Sequence, residues 1–207
     1  MKNEKGTTLL EVMVTSLLTV TIVLAVGSAT AQTSKSLFAG TERIEMMQKG
    51  RAIMEMISVY GRAAGANRAS AFSSAPYSTT SVLPIPQAGS TMIRLQSDYD
   101  DNGALTTSFP EDITVSWNSG AKNLTVGTST FSNISNFVIR YYNESGTEIA
   151  GPWDISGNAA HGALLCSIAR VQFQLELESR HIDPTTRQFA HETMIWDVTV
   201  RNQLTVL

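Results

Sequence analysis

From Thr7 to Ala31 the chain carries one charge, Glu11, among side chains that are otherwise apolar, small or hydroxyl-bearing. A helix over these roughly 25 residues rises about 37 Å, more than the roughly 30 Å of hydrocarbon in a bilayer. A membrane-spanning helix is therefore expected over 7–31. Lys2 and Lys5 flank its short N-terminal side, which orients that end toward the cytoplasm and the bulk of the chain outward. Two ordinary explanations compete: a secretory signal, since Ala29-Thr30-Ala31 resembles a cleavage site, and a plain anchor. Neither explains Glu11. A carboxylate in the bilayer centre costs about 3 kcal/mol or more and calls for a cation, yet the run contains no Lys, Arg or His.

The surrounding residues carry a resemblance. Gly6-Thr7-Thr8-Leu9-Leu10-Glu11-Val12-Met13-Val14 is similar to the type III (prepilin) signal, a glycine followed by an apolar block with glutamate five residues into the mature chain. The resemblance implies a leader of residues 1–6, cleavage by a prepilin peptidase between Gly6 and Thr7, and N-methylation of Thr7. Most family members have phenylalanine where Thr7 stands here. The resemblance also supplies the missing cation, the freed α-amino group of Thr7 on a neighbouring subunit. Glu11 would then set subunit register, because each charge is costly in a low-dielectric filament core without the other. Thr15, Ser16, Thr19 and Thr21 permit close helix approach and interhelical hydrogen bonds, or are simply tolerated by lipid.

Beyond Ala31 the helical pattern continues. Ile44, Met47, Met54, Ile57 and Ala64 recur at helical spacings between Glu42, Arg43, Glu45, Lys49, Arg51 and Glu55, and no proline occurs before Pro76. This predicts an amphipathic second half over 32–65, with Met46, Met47, Met54 and Met56 as packing residues and Gly65 as terminator. Gln48-Lys49-Gly50-Arg51-Ala52-Ile53-Met54 and Gly61-Arg62-Ala63-Ala64-Gly65 resemble PilW-type minor pilins and the J-type minor pseudopilins of type II secretion. That resemblance implies a pilin-like α+β fold and a single-pass inner-membrane protein with its globular domain in the periplasm. It further implies entry into a pilus or pseudopilus, to prime or support assembly. The implied partners are a prepilin peptidase, a major pilin, other minor pilins and an inner-membrane assembly platform. A rival of another class is an anchored periplasmic binding or adhesive domain that never polymerises, with its N-terminus uncut or cut near Ala31.

Residues 66–91, with Pro76, Pro84 and Pro86, read as a connecting loop before a β-rich domain over 92–207. Candidate strands are Met92–Gln96, Ile113–Trp117, Asn123–Val126, Phe137–Tyr142, Arg170–Leu177 and Met194–Arg201. Val171, Phe173, Leu175 and Leu177 alternate most clearly, answered by Met194, Trp196, Val198 and Val200. The expected fold is thus α+β, a long helix packed against an antiparallel sheet.

Chemistry-bearing patterns are few. Asp98, Asp100 and Asn102 with Gly103 match the first half of a D-x-[DN]-x-[DN]-G calcium loop. The twelfth position is Phe109 in place of Glu, and Glu111 arrives two residues late, so a solvated acidic turn is the stronger expectation. His161, His181 and His191 lack metal-ligand spacing, Cys166 reads as a buried thiol, and neither a G-x-S-x-G elbow nor a Gly-rich phosphate loop occurs. An enzyme is not expected. A net charge of −3 without a Lys/Arg cluster argues against nucleic acid.

Overall fold

The apolar run and the amphipathic stretch after it form one continuous helix. The computed structural model describes residues 8–66, 72, 73, 76–100, 102–184 and 186–200. Within them α1 (Leu9–Ala63) is 55 residues long, about 82 Å at 1.5 Å per residue. Thr8 caps its start: the Thr8 hydroxyl accepts from Glu11 N (3.3 Å) while the Thr8 N–H donates to Glu11 Oε2 (2.9 Å). This reciprocal pair satisfies two of the donors a helix start leaves orphaned. At the other end Gly65 takes a left-handed φ of 78°, and its N–H donates to Gln96 O at 3.0 Å. The helix therefore stops where its backbone is handed to the sheet.

Among the described residues the rest of the chain contains two antiparallel sheets where one was expected. The first orders β5 (Ser129–Phe131), β4 (Asn123–Val126), β3 (Asp112–Asn118), β2 (Met92–Gln96), β1 (Gln87–Ala88) and β8 (Trp153–Asp154). The second orders β10 (Phe189–Thr199), β9 (Arg170–Ile182), β6 (Ile134–Tyr142) and β7 (Glu148–Ile149). A short α2 (His161–Cys166) lies between β8 and β9. In the β9–β10 hairpin Leu175 faces Met194, Phe173 faces Trp196, and Val171 faces Val198, so the alternating runs meet in register. The sheets are joined by part-buried polar contacts. Tyr141 of β6 donates its hydroxyl to Gly89 O (2.7 Å), and Trp117 Nε1 of β3 donates to Ile134 O (3.1 Å). Burial pushes the Tyr141 phenol far above its ordinary range.

Helix α1 packs chiefly on β9 and β10 and touches β2 and β4. Its buried face departs from the expected stripe. Met46, Gly50, Ile53, Ile57 and Gly61 are buried, whereas Ile44 is 56% exposed. The reason is close approach. A Cβ on Gly50 would lie 3.1 Å from Leu177 Cδ1, and one on Gly61 would lie 2.8 Å from Val198 Cγ1. Counting apolar side chains overlooks glycines used as contact points, and here two of them define the face. Ile53 and Ile57 fill the space between, fully buried in a core that includes Phe137, Phe173 and Leu175, each burial contributing about 2 kcal/mol.

Two further expectations are corrected. The segment 66–91 is more than a connector: it contains β1, and Leu83, Ile85 and Ala88 are fully buried. Pro84 and Pro86 donate no backbone N–H, yet their carbonyls accept from Gln96 N (2.9 Å) and Ile155 N (3.1 Å). Cys166, at the end of α2, is half-buried.

Candidate functional site

The largest unpartnered feature is the N-terminal half of α1. Its side chains are exposed from Leu9 through Val26, with Leu9 82% and Leu17 68% exposed. Among the described residues this helix alone is long and apolar enough to cross a membrane, and its apolar window is 0% buried. The globular domain reaches the helix at Phe38 and Glu42 and first buries it at Met46, so the two halves of α1 face different surroundings. Its hydroxyl protons are consumed internally: Thr15 Oγ1 donates to Glu11 O (2.8 Å), Thr19 Oγ1 to Thr15 O (2.8 Å) and Thr21 Oγ1 to Leu17 O (2.9 Å). Back-bonding of this kind lets a hydroxyl sit in an apolar medium without an orphaned proton. Glu11 closes the capping box described above, and its partner there is a neutral backbone amide. Gly6 and Thr7, the expected cleavage and methylation positions, lie outside the described residues.

Near the other end of α1, the loop from β2 to β3 gathers acids. Asp98 comes just after β2, and Glu111 immediately precedes β3. Ser97 N donates to Glu111 O at 2.9 Å, which draws the mouth of the loop together. Asp98 accepts from Asn102 N (3.2 Å) and Gly103 N (3.0 Å), and Gly103 turns the chain with φ 78°. Asp98, Asp100 and Glu111 each bring a carboxylate oxygen within 4.8 Å of the others. Asn102 serves the turn itself: its Nδ2 donates to Asp100 Oδ2 (2.7 Å) and its Oδ1 accepts from Ala104 N (2.7 Å). Glu111 is the residue that motif spacing missed. The only signal was its presence two positions beyond the expected glutamate.

No known protein family, curated protein or solved structure matches this chain.

The histidines hold the fold. His181 Nδ1 lies 2.6 Å from Glu42 Oε1, and Arg180 N donates to Glu42 Oε2 at 3.0 Å, so β9 clasps α1 just below its exposed half. Phe38 stands edge-on to the His181 ring with centroids 5.8 Å apart. The side-chain hydrogen bond from His181 holds the Glu42 carboxyl below the ordinary carboxylate range. His191 pairs with Glu176 at 3.3 Å, and His161 Nδ1 lies 3.1 Å from Asp154 O. What the molecule offers is therefore a long uncovered apolar helix on a two-sheet domain, and a separate cluster of carboxylates.

Proposed function

We propose that this chain is a minor pilin of the PilW kind, processed between Gly6 and Thr7 by a prepilin peptidase and incorporated into a type IV pilus to prime or support its assembly. One observation carries the reading: the apolar half of α1 is uncovered while the globular domain packs on the other half. Side chains such as Leu10, Leu17 and Leu24 need either lipid or the helices of other subunits around them. A subunit that passes from membrane to filament needs both environments in turn, and the same surface serves each. Glu11 adds a constraint on register. Among the described residues its partner is the neutral amide of Thr8, which in a chain that begins at Thr7 leaves the negative charge to be balanced by a neighbour. A new α-amino group at Thr7 of a neighbouring major or minor pilin has the sign and reach for that role. The same physics supports a J-type minor pseudopilin of a type II secretion system, which differs only in its companions.

A second reading has its own observation. Because Glu11 already completes a capping box, its presence is accounted for in a single anchored copy that never polymerises. The two readings separate on the mature N-terminus and on one substitution. Mass spectrometry of protein isolated from cells should find a species beginning at Thr7. Glu11→Val should leave membrane insertion intact but reduce incorporation into sheared filaments at least about tenfold, the scale of a lost charge pair. A chain that retains Met1 overturns the filament reading in favour of the anchor, and one cut near Ala31 overturns it in favour of a secretory signal.

A further inference from the structure

We propose that Asp98, Asp100 and Glu111 hold a calcium-sized divalent cation at the mouth of the loop between β2 and β3. The inference is independent of the filament reading, since it concerns the far end of the molecule. Three carboxylate oxygens within 4.8 Å of one another match the sphere of calcium, where oxygens about 2.4 Å from the ion are at most about 4.8 Å apart. Convergence of acids alone would not suffice, because exposed acidic turns are common. Two of these acids are not exposed: Asp98 is 1% and Glu111 4% accessible.

The decisive detail is the orientation of Glu111. Its Oε2 is fixed by Thr106, accepting from the backbone N–H (2.7 Å) and the hydroxyl (2.8 Å). Its Oε1 is buried without a hydrogen-bond partner. The same carboxyl group brings an oxygen within 4.8 Å of carboxylate oxygens of Asp98 and Asp100, which places it in the acidic cluster. Folding thus brings a pre-oriented, desolvated acceptor against further negative charge. Neither Asp100 nor Glu111 takes part in an ion pair among the described residues. A cation answers both the orphaned oxygen and the crowding of charge, with water completing a shell of about six to eight oxygens.

Occupancy would fasten the ends of the loop to each other. Phe109 in that loop stands edge-on to Tyr60 of α1 with centroids 6.0 Å apart, so the ion would also steady the packing on the helix terminus. The test uses the full chain in detergent, stripped with EDTA and titrated with calcium chloride alone. Thermal unfolding should shift upward saturably, with a dissociation constant of about 10⁻⁴–10⁻³ M, the weak end of oxygen-ligated loops. Glu111→Gln should weaken binding at least about tenfold, and so should Asp100→Asn at an exposed position where folding is not at risk. Terbium luminescence, sensitised by neighbouring Tyr99, should rise with the wild-type chain and be displaced by calcium. No shift at about 5 mM calcium, equal shifts with magnesium, or unchanged affinity in Asp100→Asn each overturns the proposal.

Discussion

Gly61 of α1 lies against Val198 of β10 so closely that a Cβ on the glycine would fall 2.8 Å from Val198 Cγ1. The contact recurs about three turns earlier, where Gly50 meets Met194 and Leu177. Both glycines bring the helix backbone down onto the hairpin, and the isoleucines between them reach the core because of it.

That arrangement makes a position-specific prediction. Gly61→Val should destabilise the full chain by about 2–3 kcal/mol through overpacking, measured by denaturant unfolding in detergent. The same substitution at Gly40, which has nothing within 4 Å, should stay within about 0.5 kcal/mol of wild type. Combining Gly61→Val with Val198→Ala should recover part of the loss, since the two sites share one contact. Equal effects at positions 40 and 61 would exclude close packing as the cause.

Arg94 and Asp112 form the second pressure point. Arg94 Nε donates to Asp112 Oδ1 (2.7 Å), Nη2 donates to Oδ2, and Gln96 Nε2 donates to Oδ2 at 3.1 Å. The Asp112 side chain is 6% exposed, while that of Arg94 is about a third exposed. The Asp112 carboxylate raises the Arg94 guanidinium above its ordinary range. Arg94→Met should cost about 2–3 kcal/mol, less than a fully buried pair because water reaches the arginine. Pairing it with Asp112→Leu should return stability toward wild type, because the stranded charge is gone. A double variant no more stable than Arg94→Met alone would contradict this account.

The Glu42–His181 clasp gives a pH dependence with a defined sign. Glu42 lies beyond the apolar stretch that ends at Ala31, and its carboxyl is held low by the His181 hydrogen bond. A carboxyl whose folded-state pKa is depressed contributes stability above its unfolded value, and the contribution fades as pH falls through the folded value. The stability difference between wild type and Glu42→Gln should therefore shrink as pH falls below about 4.5, toward the folded-state value of the carboxyl. Its size at about pH 7 should be below about 1 kcal/mol, as expected for a pair near the surface. Urea unfolding of both chains at about pH 7 and about pH 3.5 checks it. A difference that grows on acidification would reverse the assignment.

Much of the β-domain was readable because of the period-two pattern. Val171, Phe173 and Leu175 alternate, Val198, Trp196 and Met194 alternate, and the hairpin pairs them in that order. Strands β1, β7 and β8 had no such signature, since two residues cannot display a period. Their pairing depends on neighbours distant in sequence, as when Gln87 of β1 sets itself between Arg94 and Asp154. The second sheet escaped notice for the same reason: alternation says which side of a strand is buried, and nothing about which strands share a ladder.

By itself the sequence determined the long helix, its apolar half with one acid, and the antiparallel character of the domain beyond it. These are local properties, set by hydropathy along neighbouring residues and by the absence of proline before Pro76. Only the tertiary structure decided which helix face is buried, because glycine has no hydropathy signal and its use depends on how near another backbone comes. It also brought Glu111 back to Asp98 and Asp100. Linear spacing placed that glutamate two residues out of reach, but loop closure through Ser97 and Thr106 depends on distance in space.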